Sequence, residues 1–256
     1  MEELEQEQLN PRQTLAAWLE ADRKRVDYPE LEGRTINLMG DSYLAGNGLD
    51  PDCVWPSLLG EKYGMTVENR GINGSTLSDF VTTNHPMVDR LDTLPDNHPD
   101  IVILEGGRND YNQCVPLGTD QPDDLDTRTV KGALRKIIGQ MRQRYPGAVL
   151  ICITVWEVGG KPNAAGYTCS DYGQAMLSVC RQLGVRCINA MDSEHIGVHM
   201  TDPDFRAEYC MKPNDVSHLN ADGMRLVFPV FERAIAECCA EAGNEDHAPA
   251  VGGFPF

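Results

Sequence analysis

Positive charge is scarce in this chain: its 256 residues hold 22 Lys and Arg against 39 Asp and Glu, a formal net charge of -17. A phosphate backbone or an anionic membrane surface would be repelled, which excludes nucleic acid and acidic lipid as main partners but not a small neutral ligand. No apolar run reaches the length of a membrane span. Met1 to Asn10 is acidic and polar, with no basic stretch leading into an apolar one, so no secretory leader is expected there. The nine cysteines are odd in number and include no C-x-x-C pair, which removes the usual zinc and redox-disulfide spacings. Reduced thiols in a cytoplasmic protein are the expectation. Phosphate loops are missing as well, because Gly159, Gly160 and Lys161 lack the spacing and no G-x-G-x-x-G follows a strand. No internal repeat or interdomain linker is visible.

What remains is an apolar fraction of 41%, enough for a sizeable core, with 24 Gly and 16 Pro that fit a loop-rich α/β protein better than a helical bundle. The expected plan is a helical extension over 1–30, one domain over 31–242 and a disordered tail over 243–256. In the extension, Leu15, Trp18 and Leu19 recur at helical spacing between Pro11 and Val26. Such a helix could pack on the core, cover a site or serve a homo-oligomer, and packing is the commonest of these uses.

Ile36, Leu38 and Met39 predict a buried strand that stops at Gly40, Asp41 and Ser42. Val54 to Tyr63 reads as a short amphipathic helix, and Met65 to Asn69 as a second strand. The latter runs into Gly71, Gly74, Ser75 and Thr76, a tight turn whose hydroxyls are expected to cap a following helix. Ile101 to Leu104 is the clearest buried strand, and it ends in Glu105, Gly106, Gly107, Arg108, Asn109 and Asp110. A helix over Arg128–Tyr145, a strand over Ala148–Val155, a helix over Ser170–Leu183 and a short strand over Val185–Ile188 follow. Asn189 to Asn214 reads as a long irregular loop, and it delivers Asp215, Val216, Ser217 and His218 to a closing helix that Pro229 interrupts.

In a parallel α/β sheet these polar clusters all fall on one edge, the carboxyl ends of the strands, where ligands bind. Acyl transfer needs a hydroxyl nucleophile, an imidazole to take its proton, an anion to orient the imidazole, and N–H donors for the oxyanion. Ser42, His218 and Asp215 supply the first three. The glycine at position 74 and the Asn109 amide offer donors.

At Gly40-Asp41-Ser42, Asn69 to Gly74, Gly107-Arg108-Asn109-Asp110 and Asp215-Val216-Ser217-His218, the chain resembles the SGNH or GDSL family of serine hydrolases. Tyr43 replaces the leucine of one family name, at a variable position. The resemblance implies a three-layer α/β/α sandwich on a flavodoxin-like five-stranded parallel sheet, with neither metal nor organic cofactor. It further implies a catalytic Ser42, Asp215 and His218, and an oxyanion hole from the N–H groups of Ser42 and Gly74 with the Asn109 side chain. The substrate would be a small-molecule or carbohydrate ester. Asp41, Arg108 and Trp156 are candidate substrate contacts, although an ordinary solvated arginine is the favoured reading of Arg108 and ordinary packing that of Trp156.

Rivals are weaker. An α/β-hydrolase nucleophile motif wants glycine two residues after the serine, where Leu44 stands. His195 and His199 with Glu194 invite a metal reading, but Gly197 between the rings argues against one helical face. A non-catalytic glycan- or lipid-binding module and an acyltransferase on the same scaffold remain the alternatives from other classes.

Overall fold

Each central strand feeds two cores, because alternate side chains leave a sheet on opposite faces. The structure is a computed structural model that describes residues 17–22, 24 and 27–244. Its strands are β1 (Thr35–Gly40), β2 (Thr66–Gly71), β3 (Ile101–Glu105), β4 (Val149–Ile153) and β5 (Arg186–Ile188). They pair in parallel in the order β2-β1-β3-β4-β5. This is the flavodoxin-like order expected, in which chain direction across the sheet switches beside β1. Among the described residues the helices of the chain's body are α1 (Ser42–Ala45), α2 (Trp55–Tyr63), α3 (Arg108–Asn112), α4 (Val130–Arg144), α5 (Cys169–Leu183), α6 (Ser193–Ile196), α7 (Pro203–Tyr209) and α8 (Ala221–Asn244).

Ile36, Leu38, Ile101, Ile103, Ile151 and Ile153 face α2 and α8, where Trp55, Leu58, Phe228 and Phe231 complete one core. Met39, Val102, Leu104 and Cys152 face α4 and α5, meeting Leu134, Ile137, Ile138, Met176 and Val179. Three layers result. Thr129 and Thr168 cap α4 and α5 through their hydroxyls, and at α5 the Asp171 carboxylate returns the bond to the Thr168 N–H.

Residues 17–22 and 24 are helical, and Leu19 is buried while Trp18 meets the Phe228 ring edge-on at 5.5 Å. The expected packing helix is therefore present there. Its remaining expected residues, and the tail beyond 244, lie outside the described residues.

Two expectations need correction. No α-helix follows Ser75 and Thr76: the Ser75 hydroxyl donates to His85 O and the Thr76 hydroxyl to Ser78 O, and the chain proceeds through three short 3-10 turns. Arg90 organises this connection, donating to Gly40 O, Arg70 O and Ser75 Oγ, so one buried guanidinium ties the ends of β1 and β2 together. The stretch 189–214 is not irregular throughout, because it contains α6 and α7. Asp192 and Asp202 each cap one of these helices with a carboxylate oxygen, and Pro203 opens the second.

Candidate active site

β1 and β2 end in register, Gly40 opposite Gly71, so the turns that follow them rise side by side. Asp41 ends the first turn as the N-cap of α1, its Oδ1 accepting the Tyr43 N–H at 3.0 Å. Ser42 is thereby the first residue of a short helix, held over the sheet edge. A Cβ at Gly40 would lie 2.6 Å from Leu44 Cδ1 and 2.7 Å from Glu105 Oε2, so a side chain there would displace both. Gly74 sits at φ +81° with open space where a side chain would be, and its backbone can approach a ligand closely.

His218 reaches the same edge from the loop before α8. Asp215 shapes that loop, its Oδ1 accepting N–H bonds from Ser217 at 2.8 Å and His218 at 3.0 Å. An antiparallel bridge between Cys210 and Leu219 and a bond from Met211 N–H to His218 O anchor the loop on α7. The ring then spans two partners, with Nδ1 3.0 Å from Asp215 Oδ2 and Nε2 3.0 Å from Ser42 Oγ. Burial acts to raise the Asp215 pKa, but the two backbone N–H bonds and the His218 ring outweigh it and the carboxyl is held below its ordinary value. An ionised Asp215 fixes a proton on Nδ1 and leaves Nε2 free to accept from the serine hydroxyl.

Asn109 lies in α3, just past β3. Its Nδ2 donates to Asp41 Oδ2 and to Ser75 O, both at 3.0 Å, so one amide bridges the neighbour of Ser42 and the neighbour of Gly74. Both of its hydrogens are engaged, and a bond to substrate requires one to be exchanged. The Ser42 and Gly74 N–H groups bond no other described residue.

A family model described as GDSL-like Lipase/Acylhydrolase family matches residues 38–226, a span that holds the serine, the histidine and the carboxylate just described. The chain belongs to that family. No curated protein matches this GDSL-like hydrolase. A solved structure from Lactobacillus plantarum is 26% identical at a TM-score of 0.69, covering 80% of this chain and 98% of that one. The psychrotrophic esterase EstA from Pseudoalteromonas sp., solved inhibited by monoethylphosphonate, is 20% identical at a TM-score of 0.59, covering 80% and 97%. An α/β hydrolase enzyme from the metagenome of Lake Arreo is 19% identical at 0.55, covering 83% and 99%. These last two show the shared fold. The GDSL-like chain is a serine hydrolase of the SGNH type, with a five-stranded all-parallel sheet flanked by helices.

The other expected contacts of this GDSL-like hydrolase fall as follows. Asp41 is wholly buried and bonded as described. Arg108 is not solvated: at 8% exposure its Nε and Nη2 both donate to Ser217 Oγ and its Nη1 to Asn112 Oδ1, over the Tyr111 ring. It braces the 215–218 loop from α3. Trp156 is 2% exposed and packed between the tilted rings of Tyr43 at 5.0 Å and Phe231 at 5.8 Å, yet it also walls a small recess beside Ser42. His195 bonds Asp192 and His199 meets the Phe205 ring edge-on; among the described residues no group of three His, Cys, Asp or Glu side chains is arranged to hold a metal ion. Sequence reasoning missed Arg90 and gave Glu105 no role of its own. Glu105 carried a signal, an acid closing an otherwise apolar strand.

Proposed function

We propose that this GDSL-like hydrolase is a short-chain acyl esterase working through an acyl-enzyme on Ser42. His218 takes the serine proton as Oγ attacks the ester carbonyl, then gives it to the leaving alcohol, while Asp215 holds the ring in the required tautomer. The Ser42 and Gly74 N–H groups receive the oxyanion, with the Asn109 amide setting their separation and joining them when it exchanges one of its bonds. Water then repeats the sequence on the acyl-enzyme and frees Ser42.

The observation that carries this reading is the unbroken relay from Asp215 Oδ2 through His218 to Ser42 Oγ, with both contacts at 3.0 Å. Acyl size follows from the space beside it. Ser42, Tyr43, Gly46, Trp156, His218, Leu219 and Met224 line a tight recess there with almost no enclosed space. So little room beside the serine favours an acetyl or similarly short acyl group over a lipid chain. O-acetyl groups on carbohydrate fit this class. The unpaired thiols, nine in number, support a reducing, cytoplasmic setting.

The test is hydrolysis of p-nitrophenyl esters of increasing chain length by wild type and Ser42→Ala. Turnover should fall by about 10⁴-fold or more in the variant and decline as the acyl chain lengthens in the wild type. Equal turnover in both proteins would dismiss the assignment, and a preference for long chains would dismiss the short-acyl pocket.

A further inference from the structure

Glu105 closes β3 directly behind the nucleophile turn and is 2% exposed. Its Oε2 accepts the Asp41 N–H at 3.1 Å and fills the space that a side chain at Gly40 would need. Its Oε1 is buried with no donor beside it. An ionised carboxylate so placed would leave a bare charge in a dry interior. The Asp41 N–H that Oε2 accepts also holds the Glu105 and Asp41 side chains in one buried space, where two ionised carboxylates would repel each other.

We propose that Glu105 is a positioning residue of the esterase site: its neutral carboxyl group donates to the Asp41 carboxylate and so fixes the Asn109 amide, and through it the Gly74–Ser75 turn, relative to Ser42. This rests on the reading of Ser42 as nucleophile. The proton belongs to Glu105 rather than Asp41 because of what each carboxyl receives. Asp41 accepts the Tyr43 N–H and the Asn109 amide, bonds that favour its ionised form, whereas Glu105 receives only the Asp41 N–H. Directions of titration agree. Burial, with the Asp41 charge adding to it, pushes Glu105 well above the carboxylate range, while burial carries Asp41 only to about 7 against the pull of its hydrogen bonds.

The groups around the pair are accounted for. Asp110 and Arg108 face Asp41 from α3 with opposite signs, Arg90 adds a positive charge from the β2–β3 connection, and the Tyr43 phenol lies near both carboxyls from α1. Loss of the Glu105 proton would set two like charges in contact under Ser42. The Asp41–Asn109 bond, and with it the spacing of the two backbone donors, would slacken.

Three variants and one spectrum test this. Glutamine at 105 presents a carbonyl to the Asp41 N–H and an amide N–H to the Asp41 carboxylate, so Glu105→Gln should keep kcat within about twofold of wild type on p-nitrophenyl acetate. Glu105→Leu removes both bonds and should lower kcat about tenfold or more with KM little changed, a fraction of the roughly 10²–10³ lost with a whole oxyanion donor. Ser42→Ala is run beside them. Turnover that survives in Ser42→Ala would sink the nucleophile reading itself. Ser42-dependent turnover that is unaffected in Glu105→Leu, or equally reduced in Glu105→Gln, would overturn only the role of Glu105. Infrared spectra need no activity or leucine variant: at about pH 8, above the range where Asp41 and Asp110 titrate, wild type should show the carbonyl band of a protonated carboxylic acid and Glu105→Gln should lack it. Absence of the band in wild type, or its persistence in the glutamine variant, would overturn the proposal.

Discussion

At the scale of single residues, the ground beneath Ser42 is held by acids rather than by ion pairs, and this gives stability a definite pH sign. Burial raises Asp41 from 3.8 to about 7 and Asp110 from 3.8 to about 6. Between about pH 4 and about pH 7 the folded chain therefore keeps protons that the unfolded chain has lost. Stability from these groups falls as pH rises through that window and levels off above it. Asp215 works in the opposite sense: its depressed pKa contributes stability that is present at neutral pH and is lost as pH falls below the ordinary carboxylate value. Thermal unfolding of wild type and Asp41→Asn from about pH 5 to about pH 8 checks this, with the variant expected to lose less Tm than wild type across the range. Parallel profiles would contradict a raised Asp41. None of this was legible in the Gly40-Asp41-Ser42 triplet, because a capping aspartate and a substrate-binding one are the same letter until its partners are known.

At the scale of elements, long buried segments declared themselves and short capped ones did not. Ile101 to Leu104 and the helix that became Val130–Arg144 have enough periodic residues to fix type and face. Ser193–Ile196 and Pro203–Tyr209 are too short for periodicity, and only Asp192, Asp202 and Pro203 mark them. The β2–β3 connection misled for another reason: hydroxyls that resemble helix caps are spent on His85 O and Ser78 O, and the organising group is a distant arginine. The N-terminal helix is docked by chemistry that an amphipathic pattern does not reveal. Lys62 of α2 is buried, paired with Asp22 at 2.6 Å and with Glu232 of α8, which also accepts the Tyr63 hydroxyl. Lys62→Met would leave two buried acids facing one another, and a loss of about 3 kcal/mol is expected in denaturant unfolding. A change under about 0.5 kcal/mol would show that the cluster does not hold this helix.

At the scale of the whole molecule, function follows from chain order meeting sheet order. Ser42 leaves β1, Gly74 follows β2, Asn109 follows β3 and His218 returns after β5, yet a parallel sheet delivers all of them to one edge. That convergence was legible because it depends only on strand direction and on which loops carry polar clusters. The interlocking was not: Asn109 bridging Asp41 to Ser75, Arg108 bracing Ser217 and Glu105 filling the space below Gly40 join positions 34 to 109 residues apart. Separations of that kind are set by packing, which no local pattern encodes. The central claim is that Ser42 is the nucleophile of this assembly, and the most direct test is peptide mapping after reaction with a fluorophosphonate ester, which phosphonylates an activated serine. The account predicts one adduct, on the peptide holding Ser42, and its loss in His218→Ala. An adduct on another residue, or none in a preparation that turns over ester, would contradict it.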